Sequence, residues 1–273
     1  MITPTALAAL ALVGLVGYLI GSISSGYIVG KIYRNVDLRK VGSGSTGATN
    51  TFRTLGTGAG LLVAVLDIVK GSLAVVFAEV VFPDPSSGRS VAEAVAAVFA
   101  VSGHCWPVTL RGRGGRGVAT GFGALLVVAT PAWASAVAFF AVALAITRMV
   151  SVGSLAAVVG ALVGYLVFSA TGWLTFNWAT LAFILVAGAV VFIRHRPNIE
   201  RIIRGVEPRV GTPCRSPCSR RGRGARPSRR SSRSTADGTS SCGRGTRRRR
   251  GTSPRAARIA RTCRESGFPT AST

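Results

Sequence analysis

The chain has 273 residues, is 48% hydrophobic, and carries 33 Lys and Arg against 9 Asp and Glu, a net charge of +24. Its apolar residues fall into runs near the twenty or so that cross a bilayer, which excludes an ordinary soluble globular fold. The charge is unevenly spread, because residues 209–273 hold 18 arginines against Asp237 and Glu265 and also contain four of the five cysteines.

The apolar runs lie at about 5–30, 57–82, 90–110, 117–147, 151–170 and 173–193. No Lys or Arg precedes Lys31, so the positive n-region of a cleaved leader is missing and the first run reads as a retained helix with its N-terminus outside. The uncharged run at 117–147 is too long for one ordinary span. Pro131 divides it into two helices that turn near Thr130, and the expectation is an all-α polytopic membrane protein of about seven transmembrane helices. One long kinked helix is the alternative, but it would place either the Arg111 to Arg116 loop or Arg148 outside, against the tendency of cytoplasmic loops to collect Lys and Arg. With seven spans, the basic segments around Lys31 to Arg53, Arg111 to Arg116, Arg148 and Arg194 to Arg204 alternate with weakly charged ones, and the C-terminus is inside. The polar stretches 37–53, 111–117, 147–154 and 194–207 then share the cytoplasmic face.

The first polar stretch contains VGSGSTGATN, residues 41–50. Its letters match G-x-G-x-x-G, but no βαβ pattern surrounds them, and Ala48 stands where a Walker A loop has its lysine. What remains is an anion seat: bare backbone N–H groups around Gly42, Gly44, Thr49 and Asn50, a helix start at about Thr49, and Arg53 one turn on to clamp a phosphate. A flexible Gly/Ser connector is the plainer alternative. The second stretch, Gly112 to Gly117, sets Arg113 and Arg116 among glycines, Gly114 and Gly115 included. It serves either as a basic anchor or as a second anion-binding backbone.

Asp67 and Lys70 sit three apart within an apolar helix and are expected to pair, either pinning helices together or marking function. His104 reads as packing or as a brace for the loop after it. His195 and Asn198 emerge at the inner end of the last apolar run, where an imidazole and an amide suit proton handling or hydrogen bonding to a phosphate ester. Cys214 and Cys218 have no histidine near them, so neither a zinc site nor a disulfide framework is expected. No cofactor is implied.

Taken together, VGSGSTGATNTFRTLG, Leu66 to Gly71, GHCWPVTLRGRGGRGVAT, Val150 to Ser154 and HRPNIERIIRGVEP resemble the bacterial acyl-phosphate:glycerol-3-phosphate acyltransferase family called PlsY, from about residue 5 to Pro208. The resemblance implies an enzyme of the bacterial plasma membrane that moves a fatty acyl group from acyl phosphate to the 1-hydroxyl of glycerol 3-phosphate, giving lysophosphatidic acid and phosphate. It also implies that Ser43, Arg53, His195 and Asn198 serve the reaction, that the loop ending at Arg116 binds glycerol phosphate, that Ser151 lines the site and that Glu207 supports the structure. An acyl-phosphate-forming enzyme is the implied supplier. Two departures stand out: Arg113 and Arg116 replace the family's usual lysines, and Ser45 its usual asparagine.

Residues 1–208 therefore read as the membrane acyltransferase domain. Residues 209–273, rich in Arg, Ser and Gly, read as a disordered tail whose lack of interleaved aromatics argues against a nucleic-acid partner. The rival reading is a transporter or channel with a basic vestibule. It predicts a polar pathway at the midplane, whereas the polar residues here gather at one face.

Overall fold

The computed structural model describes residues 3–85 and 88–210, and among them every regular element is helical. The expectations for the tail, including Cys214 and Cys218, fall outside the described residues.

The first apolar run forms α1 (Pro4–Ser22) and α2 (Ser25–Arg34) rather than one unbroken helix. Thr3 caps α1 by accepting from the Ala6 N–H at 3.3 Å. The break falls at Ile23 and Ser24, between the end of α1 and the start of α2. It frees the Ile23 carbonyl, which accepts from Lys70 Nζ at 2.8 Å. A short amphipathic helix, α3 (Ala48–Leu55), follows the first polar loop, and Gly56 turns the chain at φ 95° into α4 (Thr57–Val81).

Next come α5 (Arg89–Cys105), α6 (Val118–Val128), α7 (Thr130–Thr147), α8 (Val150–Ala170), α9 (Trp178–Arg194) and α10 (Arg196–Ile203). The run at 117–147 does divide where Pro131 forbids continuation: Ala129 is extended, at φ −153°, and Pro131 lies in the first turn of α7. Five helical segments are long and apolar enough to cross a membrane, namely Pro4–Arg34, α4, Arg89–Leu110, α7 and α8. A sixth appears when α9 and α10, bent by 58°, are taken as one span.

The remaining expected span, α6, has only 11 residues. At 1.5 Å per residue it is about 16 Å long, roughly half a hydrocarbon core. It is short because the glycine loop fixes its start and Pro131 its end. It is also inward-facing, pressed so closely on α4 that a methyl group on Gly71 or Gly123 would overlap the opposing backbone.

The interior is built largely of small residues, including Ala94, Ala97, Ala124, Ala132 and Ala157. Leucines and valines such as Leu7, Leu15, Leu61, Leu73 and Val80 are exposed. This reversal of soluble packing is what a bilayer solvent favours, since helices gain from close approach and lose nothing by presenting Leu to lipid.

Candidate active site

Four polar segments converge at one end of the helices. In the first, the Asn50 side chain is the organiser. Its Oδ1 accepts the Ser43 N–H at 2.9 Å, and its Nδ2 donates to the carbonyls of Ser45 at 2.8 Å and of Leu38 and Val41 at 3.2 Å each. The amide thus draws the loop around itself. Gly42, at φ 59°, has no room for a side chain against the same Asn50 oxygen. Arg53 is half-buried on α3, off the wall of the cavity described below.

The second segment, Gly112 to Gly117, is gripped from two sides. The Gly115 N–H donates to the His104 carbonyl at 3.0 Å. Arg194, at the end of α9, donates through Nε and Nη2 to the Gly115 carbonyl at 3.1 and 2.9 Å, and through Nη2 to the Gly114 carbonyl at 3.3 Å. Its guanidinium also lies 5.6 Å from the Trp106 ring centre. Gly114 and Gly115 are buried by these contacts, whereas Arg113 points to the exterior. Arg116 is half-buried. Burial lowers its pKa to about 10, with Glu207 opposing the shift and Arg201, Arg53 and Arg194 adding to it. It remains a cation at neutral pH, one of several arginines that make the region attractive to anions.

The third and fourth segments meet at Glu207. Its Oε1 accepts from Ser151 Oγ and from Asn198 Nδ2 at 2.8 Å each, and its Oε2 accepts from Arg201 Nε at 2.7 Å. Burial alone would raise this carboxyl, but the hydrogen bonds from Asn198, Arg201 and Ser151 outweigh it and hold the group below its ordinary value. Ser151 and Asn198 therefore frame the site through Glu207 rather than standing on its wall.

His195 is buried, and its Nδ1 is 2.8 Å from the Val191 carbonyl. A carbonyl only accepts, so that nitrogen carries the proton, and neutral His195 keeps a lone pair on Nε2.

These segments enclose a cavity of about 210 Å³ whose wall includes Ser43, Thr49, Arg116 and His195, together with Asp67 and His104. Gly117, Val118, Phe122 and Ser154 are shared with an adjoining apolar cleft between α5, α6, α8 and α9. The expected pair is present: Lys70 Nζ lies 2.8 Å from Asp67 Oδ1, with both side chains buried. Sequence reasoning gave His104 only packing or bracing and did not single out Arg194. The available signal was weak: His104 lies in the segment leading to the glycine loop, and Arg194 directly precedes His195. Among the described residues, no cluster of His, Cys, Asp and Glu is arranged to hold a metal ion.

Residues 11–205 match the family model described as glycerol-3-phosphate acyltransferase. The chain is 41% identical over 196 residues to the glycerol-3-phosphate acyltransferase of Synechococcus sp. (strain CC9902), covering 71% of this chain and 92% of that one. It is 39% identical over 207 residues to the protein of that name from Thermosynechococcus vestitus, covering 74% of this chain and 95% of that one. Among solved structures it is similar to PlsY (YgiH), an integral membrane glycerol 3-phosphate acyltransferase. The glycerol 3-phosphate form matches at TM-score 0.66 and 33% identity, covering 74% of this chain and 96% of that one. The lysophosphatidic acid form matches at TM-score 0.65 and 32% identity, with the same coverage.

Proposed function

The chain belongs to the glycerol-3-phosphate acyltransferase family, and on that premise we propose that the cavity between its two glycine loops transfers a fatty acyl group from acyl phosphate to the 1-hydroxyl of glycerol 3-phosphate. It is an integral membrane enzyme of phospholipid biosynthesis whose acceptor is glycerol 3-phosphate and whose product is lysophosphatidic acid. The observation that carries the site assignment is the cavity itself. One chamber brings a cation (Arg116), a proton acceptor (His195 Nε2) and a hydroxyl-bearing glycine loop (Ser43) against an apolar cleft.

Arg116 takes the phosphate of glycerol 3-phosphate, and the loop around Ser43 and Thr49 takes the phosphoryl group of the donor. The acyl chain runs into the apolar cleft. The acceptor hydroxyl attacks the acyl carbonyl carbon and its proton passes to His195 Nε2. The tetrahedral oxyanion then collapses, breaking the carbon–oxygen bond to phosphate, which leaves. Acyl phosphate is already an activated mixed anhydride, so placing the hydroxyl and stabilising the oxyanion suffices, and no covalent acyl-enzyme is needed.

A reaction that makes acyl phosphate must supply the donor. Basic residues at 31–53, 111–116, 148 and 194–204 favour placing the site on the cytoplasmic face of the plasma membrane, with the N-terminus outside and the C-terminus inside. Residues 1–208 then form the acyltransferase domain and 209–273 an appendage.

The test is donor choice. Purified chain supplied with glycerol 3-phosphate should form lysophosphatidic acid from acyl phosphate and not from acyl thioesters. Equal rates with a thioester would refute the assignment of the first loop to a donor phosphate.

A further inference from the structure

Among the buried side chains on the cavity wall to which the proposed reaction gives no task is His104. Three acceptors surround Lys70 Nζ: the Ile23 carbonyl at 2.8 Å, Asp67 Oδ1 at 2.8 Å and His104 Nδ1 at 2.9 Å. A protonated lysine offers donors only, so His104 Nδ1 must accept, and neutral His104 carries its proton on Nε2. Asp67 Oδ1, an acceptor itself and 3.6 Å from Nδ1, does not bond the ring but holds Lys70 Nζ in place against it. The ring is thereby locked in one orientation.

Its other edge faces the second glycine loop. A side-chain carbon on Gly115 would collide with His104 Nε2, Cε1 and Cδ2, and these are the three nearest atoms to that position. The His104 carbonyl meanwhile holds the Gly115 N–H at 3.0 Å. Backbone and ring together fix Gly115, and Arg116 is the next residue.

We propose that His104, locked by Lys70 and Asp67, is a positioning residue that sets where Arg116 meets the phosphate of glycerol 3-phosphate. This rests on the assignment of Arg116 to that phosphate. The buried charged pair is accordingly more than a pin between helices, because it orients the ring on which the loop rests.

The test is a double-mutant cycle on the purified full-length chain, with acyl phosphate saturating and glycerol 3-phosphate varied. His104→Ala should raise KM for glycerol 3-phosphate at least about tenfold while kcat changes little, since a shifted Arg116 weakens its hold on the acceptor phosphate equally in the ground and transition states. Gly115→Ala alone should be more damaging, because its methyl group has no room beside the ring. The double variant should recover to the level of His104→Ala, as removing the ring opens that space.

His104→Asn keeps an acceptor for Lys70 but loses the ring edge, so it should melt like the wild type and still show the raised KM. If His104→Ala is too unstable to assay, this variant carries the test. An unchanged KM in His104→Asn, or additive losses in the double variant, would overturn the proposal while leaving the wild-type activity standing. A wild-type chain without glycerol 3-phosphate-dependent turnover would instead overturn the functional reading on which it rests.

Discussion

Asn198 donates to Glu207 Oε1 at 2.8 Å, nine residues along the chain, and shares that acceptor with Ser151 from α8. The carboxylate thus joins the chain after α10 to the starts of α8 and α10. Asn198 is itself buried, and its backbone N–H donates to the His195 carbonyl at 2.8 Å.

Glu207→Gln should therefore weaken the fold before it alters the chemistry. The amide keeps one oxygen for Ser151 and Asn198 but sets an N–H against Arg201 Nε, which now donates to Oε2 at 2.7 Å. The expected loss is about 2 kcal/mol, the scale of a hydrogen bond to a charged group. The pH dependence follows from the depressed carboxyl. Its stabilisation is complete above the ordinary value of 4.5 and is lost as pH falls through the lower folded value. Thermal melts in detergent should show the wild type losing stability as pH falls from about 4.5 through the lower folded value, with Glu207→Gln lacking this part of the loss.

Arg116→Ala should cut kcat/KM for glycerol 3-phosphate by about 10- to 100-fold, the cost of one charge-assisted hydrogen bond. Arg116→Lys keeps the charge but not the planar fork and should fall between. Initial rates against glycerol 3-phosphate concentration decide it, and an unchanged KM in Arg116→Ala would remove that residue from the phosphate site.

Asn50→Ala removes four hydrogen bonds that hold the first glycine loop to its own helix. Turnover should fall at least about 100-fold, since a small misplacement of a substrate-holding loop has that effect. Melting should fall as well, because Leu38 and Leu55 beside Asn50 belong to a core cluster with Val29, Ala59 and Val63, against which Val41 packs, and the carbonyls freed by the substitution lose their partner, but the helices packed away from this loop should stay folded. Comparing melting with turnover in the same preparation separates the two.

Deleting residues 211–273 should leave acyl transfer intact, because the family match ends at residue 205. Loss of activity in a well-expressed truncation would assign the tail a part in catalysis.

The fold was legible in the sequence wherever a run of apolar residues had a single physical cause. The length of each run announced a span, and Pro131 announced the break between α6 and α7. The break at Ile23 was not legible, because it depends on Lys70, 47 residues away, to satisfy a freed carbonyl. Nor was the close seating of α6 on α4, which depends on Gly71 and Gly123 meeting the backbone of the opposite helix. The site shows the same division. Ser43, Arg116 and His195 stood out by residue type, and they line one cavity. Asn50 looked like part of the anion seat, yet its side chain is spent on folding the loop. The contacts of His104 with Lys70, and of Arg194 with Gly114 and Gly115, join residues distant in sequence.

The proposed function requires above all that this cavity join the two substrates. Its most direct test measures inorganic phosphate released from acyl phosphate by the purified chain, with and without glycerol 3-phosphate, for the wild type and His195→Ala. Release in the wild type should depend on glycerol 3-phosphate and match lysophosphatidic acid formed one for one, and it should collapse in His195→Ala. Release independent of glycerol 3-phosphate, or normal turnover in His195→Ala, would contradict the account.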